Sequence, residues 1–255
     1  MHTVIDQNFN RHSWLIPSQT PDMKVFRGAN LSYVDSGLSC DTFNILHITN
    51  GRATTEAEIR NALGYFKQNE LAYCIWISAE NLNEKVLAIF DKLGVKQQNL
   101  EPGMALDLSM YRPVEHPLHP HAAIIEDAQT LAEYAQVIAA NWTPPDQNVI
   151  AYFQKTSDQY LDKTNQTILL TYRHHGQVVS TMEMFPSDAQ TIGLYSLATL
   201  AAHRGKGIGT ALLTFALNLA KNLGYQTAIL QASEDGIGIY QKYGFKTISN
   251  YFEFA

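Results

Sequence analysis

The run Arg204-Gly205-Lys206-Gly207-Ile208-Gly209 restricts the fold more than any other stretch of this chain. A helix is expected to begin where the glycines end. The apolar residues of 191–200 before it read as a strand, and Ile208, Leu212, Phe215, Leu219 and Leu223 after it recur at helical spacing. A strand therefore turns abruptly into a helix at the glycines. Without Cβ atoms the loop can bring its N–H groups close to a ligand, and the helix N-terminus adds about half a positive charge. This is the chemistry of a phosphate cradle, to which Arg204 and Lys206 can add charge-assisted bonds.

Two other nucleotide loops fit less well. A P-loop requires Gly-Lys-Ser/Thr after four intervening residues, and no such lysine precedes Thr210. The dinucleotide fingerprint Gly-x-Gly-x-x-Gly has its third glycine one residue later than Gly209.

The surrounding pattern predicts an α/β protein with a mixed sheet. Upstream, strands are expected at 43–48, 72–77 and 104–108, with helices at 55–66 and 82–93. Downstream, a strand at 122–125 precedes helices at 130–141 and 145–162. A hairpin over 168–185 follows, turning at His174-His175-Gly176-Gln177, and then the strand, cradle and helix. A strand at 228–231, a short helix ending near Tyr243-Gly244 and a strand at 245–254 close the chain. Three prolines, Pro113, Pro117 and Pro120, make 111–121 an extended, stiffened segment and the natural domain boundary. Its alternating histidines are expected in solvent, with no metal site.

Composition narrows the function classes. Of 255 residues, 45% are hydrophobic and 16% charged, enough apolar material for a packed core. Residues 1–119 carry 10 basic and 13 acidic side chains, and 120–255 carry 8 and 11, so neither half presents the basic face that nucleic acid or an anionic membrane requires. Cys40 and Cys74 are too few for a disulfide scaffold and lie at no zinc-ligand spacing. A cytoplasmic, untargeted protein is expected, monomer or homodimer.

Arg204, Gly207 and Gly209 meet the motif Gln/Arg-x-x-Gly-x-Gly/Ala, the pyrophosphate-binding signature of the GCN5-related N-acetyltransferase (GNAT) family. Tyr195-Ser196-Leu197-Ala198-Thr199-Leu200 is similar to that family's fourth strand, and Ile239-Tyr240-Gln241-Lys242-Tyr243-Gly244-Phe245 to its closing helix and Gly-Phe turn. The resemblance covers roughly residues 121–255 and implies an acyl-CoA N-acyltransferase fold with a catalytic domain at 116–255. Phe90-Asp91-Lys92-Leu93-Gly94-Val95 and Glu101-Pro102-Gly103-Met104 resemble the tail of the same fold without a Gly-rich loop before them. Residues 1–115 are therefore expected to be a smaller, degenerate GNAT-like α/β domain, as in tandem members of the family.

The resemblance implies acetyl-CoA as donor. The amides of Arg204, Gly205, Lys206, Gly207, Ile208, Gly209 and Thr210 would hold its diphosphate, and the edge of Leu197, Ala198, Thr199 and Leu200 would pair with the pantetheine amides. Ser233 stands where the family often has an asparagine on that arm, and Tyr240 matches the tyrosine that hydrogen-bonds the sulfur and protonates it. Direct transfer to an amine passes through an oxyanion, which needs an N–H donor, expected near Leu200.

The attacking ammonium must lose a proton, yet 194–200 holds no carboxylate. Glu183, on the neighbouring strand, is the candidate base, its alternatives being a solvated surface carboxylate or a water chain in its place. Tyr195 either lines the acceptor pocket or packs in the core, and His203 touches phosphate or solvent. The expected activity is acetyl transfer to a primary amine of a small molecule or peptide. The alternative is a non-catalytic acyl-CoA-binding sensor or interaction module.

Overall fold

The computed structural model describes residues 2–116 and 118–255. The first elements are α1 (His2–Gln19), β1 (Lys24–Arg27), β2 (Leu31–Asp35), β3 (Ile45–Ile48), α2 (Glu56–Gln68), β4 (Cys74–Ser78), α3 (Glu84–Leu93) and β5 (Gln97–Asp107). After the proline-rich segment come β6 (Ala122–Ile124), α4 (Ala128–Ala139), α5 (Gln147–Lys155), α6 (Ser157–Leu161), β7 (Ile168–His174), β8 (Gln177–Pro186) and β9 (Thr191–Thr199). The chain ends in α7 (Ile208–Asn222), β10 (Thr227–Gln231), α8 (Ile237–Lys242) and β11 (Lys246–Phe254). Short 3₁₀ turns lie at His119–His121 and Ala201–His203. Pro117 of the boundary segment lies outside the described residues.

Two compact units divide the chain. The first is Met1–Met104, Gln231–Ile237 and Thr247–Ala255; the second is Ala105–Leu230 and Gly238–Lys246. They are not contiguous halves, because β11 returns to pair antiparallel with β4, Tyr251↔Ser78 through Phe254↔Ile75.

In the first unit the strands run β1-β2-β3-β4-β11-β5, with β3 and β4 parallel. Its core is Leu46, Ile48, Ile59, Phe66, Ile75, Ile77, Val86 and Phe90, the inward residues of the predicted strands and helices. A capping box at Thr55 and Glu58 starts α2, and Asn83 caps α3. Helix α1 was not expected. Pro17 lies within it and its buried side mixes Ile5, Phe9 and Ile16 with Asn8, which blurs the apolar stripe. A polar cluster fixes it instead. His47, fully buried on β3, has Nε2 3.1 Å from Asp6 Oδ1 and Nδ1 3.1 Å from Asn10 Oδ1, and Ser32 Oγ donates to Asn10 Oδ1 at 2.6 Å.

In the second unit the order is β10-β9-β8-β7-β6, antiparallel except for the parallel pair β9 and β10. The helix expected at 145–162 is two helices. Thr156 breaks it, buried, with its Oγ donating to Tyr152 O at 2.8 Å. Helix α7 buries Ile208, Ala211, Leu212, Leu213, Ala216, Leu217 and Ala220, while Leu223 is 54% exposed. The predicted stripe through Phe215, Leu219 and Leu223 is thus rotated, because the alanines let the helix approach closely along their own face. The boundary segment docks on α7. Tyr111 Oη donates to Asn218 Oδ1 at 2.9 Å, and Asn218 Nδ2 donates to Val114 O at 2.9 Å.

Candidate functional site

The glycine loop is open. Gly205 and Gly207 have φ of 72° and 78°, left-handed values that an L side chain adopts only under strain, and Gly207 is the N-cap of the 15-residue α7. A Cβ at either glycine would meet nothing within 4 Å, so packing does not demand glycine there. The amides of Gly205, Lys206, Gly207, Ile208, Gly209 and Thr210 donate to no acceptor among the described residues. The next amide, Ala211 N, donates to Gly207 O at 2.9 Å and begins the helical ladder.

Two expected donors are already engaged. Arg204 N donates to Ala201 O at 3.3 Å, and Leu200 N to Val179 O at 2.9 Å. Leu200 O in turn accepts from His203 N at 2.8 Å. Leu200 therefore neither continues an open edge nor supplies the oxyanion donor expected near it, because β8 and the 3₁₀ turn have taken both its backbone groups. Arg204 Nε donates to Thr199 O at 2.9 Å, and Lys206 Nζ to Ala202 O at 2.9 Å. Both side chains are exposed, and neither meets a carboxylate among the described residues.

Strand β9 prepares an edge. Its ladder with β10 runs from Thr191↔Thr227 to Gly193↔Ile229 and stops, while β9 continues to Thr199. On its other side β9 carries a bulge. Glu183↔Tyr195 is followed by Thr181↔Ala198, so Ser196 and Leu197 together face Met182. Ser196 is exposed at φ 54°, a strained value for serine. Ser180 Oγ donates to Ala198 O at 2.6 Å and Thr181 Oγ1 to Ser196 O at 3.2 Å, holding the bulged strand from β8.

Glu183 is 3% exposed, which overturns the surface reading of this carboxylate. Tyr134 of α4, Tyr152 of α5, Tyr160 of α6 and Tyr195 of β9 surround it. Burial raises the pKa of each hydroxyl, and the Glu183 charge raises it further. The ring of Phe153 braces the helical three, with centroids 5.2 Å from Tyr134, 5.6 Å from Tyr152 and 5.5 Å from Tyr160. Such hydroxyls are protonated at neutral pH around the one acidic group among them. Of these, only Tyr195 was singled out in the sequence. Tyr152 and Tyr160, eight residues apart in a segment read as one helix, were the remaining signal.

Tyr240 is buried on α8, its ring 5.8 Å from Phe245. Tyr243, three residues on, ties α8 to the start of α7 through Thr214 Oγ1 and Thr210 O. Ser233 belongs to the first unit, is exposed, and accepts from Gly236 N at 3.3 Å. No group of three or more His, Cys, Asp or Glu among the described residues is arranged to hold a metal ion, and no helix there is long and apolar enough to cross a membrane.

Comparison with known proteins places this geometry. Residues 128–245 match the acetyltransferase (GNAT) family. N-acetyltransferase 8B of Rattus norvegicus is 34% identical over 84 residues, 30% of this chain and 38% of the relative, so the match spans well under half of that protein. Among solved structures, a GCN5-related N-acetyltransferase from Kribbella flavida superposes with a TM-score of 0.69 at 16% identity, covering 98% of this chain and 95% of its own. A tandem GNAT protein from the clavulanic acid biosynthesis pathway gives 0.59 at 11% identity, over 92% and 83%. At such identities the superpositions establish the fold.

Proposed function

We propose that this chain, whose residues 128–245 belong to the acetyltransferase (GNAT) family, moves the acetyl group of acetyl-CoA directly to a primary amine of a small molecule or peptide. One observation carries the reading: six consecutive amides, Gly205 to Thr210, face no acceptor among the described residues at the positive end of α7. A diphosphate supplies the oxygens they lack. The open space at Gly205 and Gly207 suits its close approach, and Arg204 and Lys206 flank it. The edge of β9 at Leu197, Ala198 and Thr199, past the end of its β10 ladder, receives the pantetheine amides.

Bound acetyl-CoA supplies an acetyl group activated as a thioester. In the transfer the amine nitrogen forms its bond to the acetyl carbon as the carbon–sulfur bond breaks. Glu183 takes the proton released by the ammonium, Tyr240 Oη gives one to the departing sulfur, and the second proton that the nitrogen sheds on becoming an amide restores Tyr240. The tyrosines around Glu183 keep bulk water from its carboxylate. Residues 116–255 form the catalytic domain in this reading, and 1–115 a degenerate GNAT-like domain without a cradle. Cys40 and Cys74 are both buried thiols, which suits a reducing compartment, and we place the protein in the cytoplasm.

The rival is an acyl-CoA sensor that performs no transfer, and the engaged amide of Leu200 favours it. Thiol release from acetyl-CoA, followed with a panel of primary amines, separates the two. The enzyme gives release that depends on the amine. Binding without release for any amine supports the sensor.

A further inference from the structure

His174, His175 and His203 meet beside the cradle. The rings of His174 and His175 are 4.2 Å apart and those of His174 and His203 5.2 Å apart. His175 and Gly176, at φ 49° and 84°, are the two central residues of the tight turn between β7 and β8, whose ends pair His174↔Gln177. Arg173 fixes that turn to α4. Its guanidinium donates to Glu133 Oε2 at 2.7 Å, to Gly176 O at 2.9 Å and to Thr130 Oγ1 at 3.2 Å. His203 closes the 3₁₀ turn that leads from β9 into the cradle, and its Nδ1 is enclosed without a hydrogen-bond partner.

The titratable groups that act on His174 among the described residues are basic. His175 on the turn, His203 and Lys206 toward the cradle, and His121 before β6 bear on it, while Glu133 on α4 is paired with Arg173. Burial first, then these neighbouring basic groups, lower the pKa of His174. Such a cluster of mutually repelling donors is stabilised by a multivalent anion. Next to it lies a cavity of about 400 Å³ lined by Glu133, which Arg173 pairs, Gln136, Val137, Gly176, Gln177, Val178 and Leu200, with apolar walls suited to a flat heteroaromatic base.

We propose that His174, His175 and His203 form a seat for a phosphomonoester dianion, the 3′-phosphate of the CoA nucleotide, separate from the diphosphate cradle. The proposal rests on the acetyl-CoA reading above. Calorimetric titration with acetyl-CoA and with its 3′-dephospho analogue tests it. At pH 6.5, where histidines gain protons and a phosphomonoester keeps most of its second charge, acetyl-CoA binds tighter by roughly 10-fold or more, as charge-assisted bonds imply. The preference shrinks as pH rises toward 8. Near pH 7, buffers of different ionisation enthalpy reveal proton uptake with acetyl-CoA and none with the analogue.

His174→Asn with His175→Asn, the latter a residue the turn favours, brings the two affinities together by weakening acetyl-CoA alone. Equal affinities and equal proton uptake in the wild-type protein overturn the seat and leave the cradle standing. Failure of both ligands to bind overturns the acetyl-CoA reading and the seat with it. Since the wild-type comparison decides the matter by itself, a variant that fails to fold does not.

Discussion

Glu183 of β8 and Tyr195 of β9 are register partners, and the ladder slips by one residue immediately beyond them. The slip turns the end of β9 out of step with its beginning, and Ser196 takes up the strain at φ 54°. A buried carboxylate thus lies level with the point where β9 is free of β10 and deformed against β8. In the proposed reaction this is where the amine loses its proton.

Replacing Glu183 with Gln keeps the shape of the side chain but removes the base. The expected result is a fall in kcat of roughly 10²–10⁴-fold, the range for a lost general base, with the Kd for acetyl-CoA unchanged. An unaltered kcat reduces Glu183 to a structural role.

The first unit has a pH dependence of its own. Burial, and then the charge of Glu253, raise the pKa of Glu101 from 4.5 to about 7. Between those values the folded protein keeps a proton that the unfolded chain has released, so this residue makes stability decline as pH rises from about 4.5 to 7. Glu101→Gln removes the decline. The variant is expected to be more stable than the parent by about 2 kcal/mol at pH 8, allowing for partial exposure, and equal to it at pH 4. Urea unfolding at the two pH values checks this, and equal stability at pH 8 contradicts it.

Helix α1 is held by a buried polar contact that can be broken singly. Asp6→Ala leaves His47 Nε2 fully buried without its partner at 3.1 Å, a loss of about 1–3 kcal/mol. Thermal unfolding reads the change, and an unchanged melt shows that α1 is held by its apolar side alone.

What the sequence made legible follows from how local each signal is. The cradle is written in consecutive residues, and α2, α3 and α4 carry their own caps at Thr55, Asn83 and Asp127. Helix α1 was not legible, because Asp6 and Asn10 bond to partners on strands some 20–40 residues away. Nor was the placement of β11, since alternation marks a strand without naming its neighbour. Glu183 could be chosen by elimination, but its burial among tyrosines from three helices depends on tertiary packing. The bulge at Ser196 has no residue signature, as serine is an ordinary strand-edge residue and its positive φ is imposed from β8.

The central claim is that the free amides of residues 205–210 hold the diphosphate of acetyl-CoA. Titration calorimetry on the parent chain and on Gly207→Asp measures it directly, since aspartate both strains the left-handed N-cap and sets a negative charge against the phosphates. The parent is expected to bind saturably and the variant to lose at least roughly 100-fold in affinity, as about 3 kcal/mol of strain and repulsion implies. Equal binding by the two proteins, or none by the parent, contradicts the central claim.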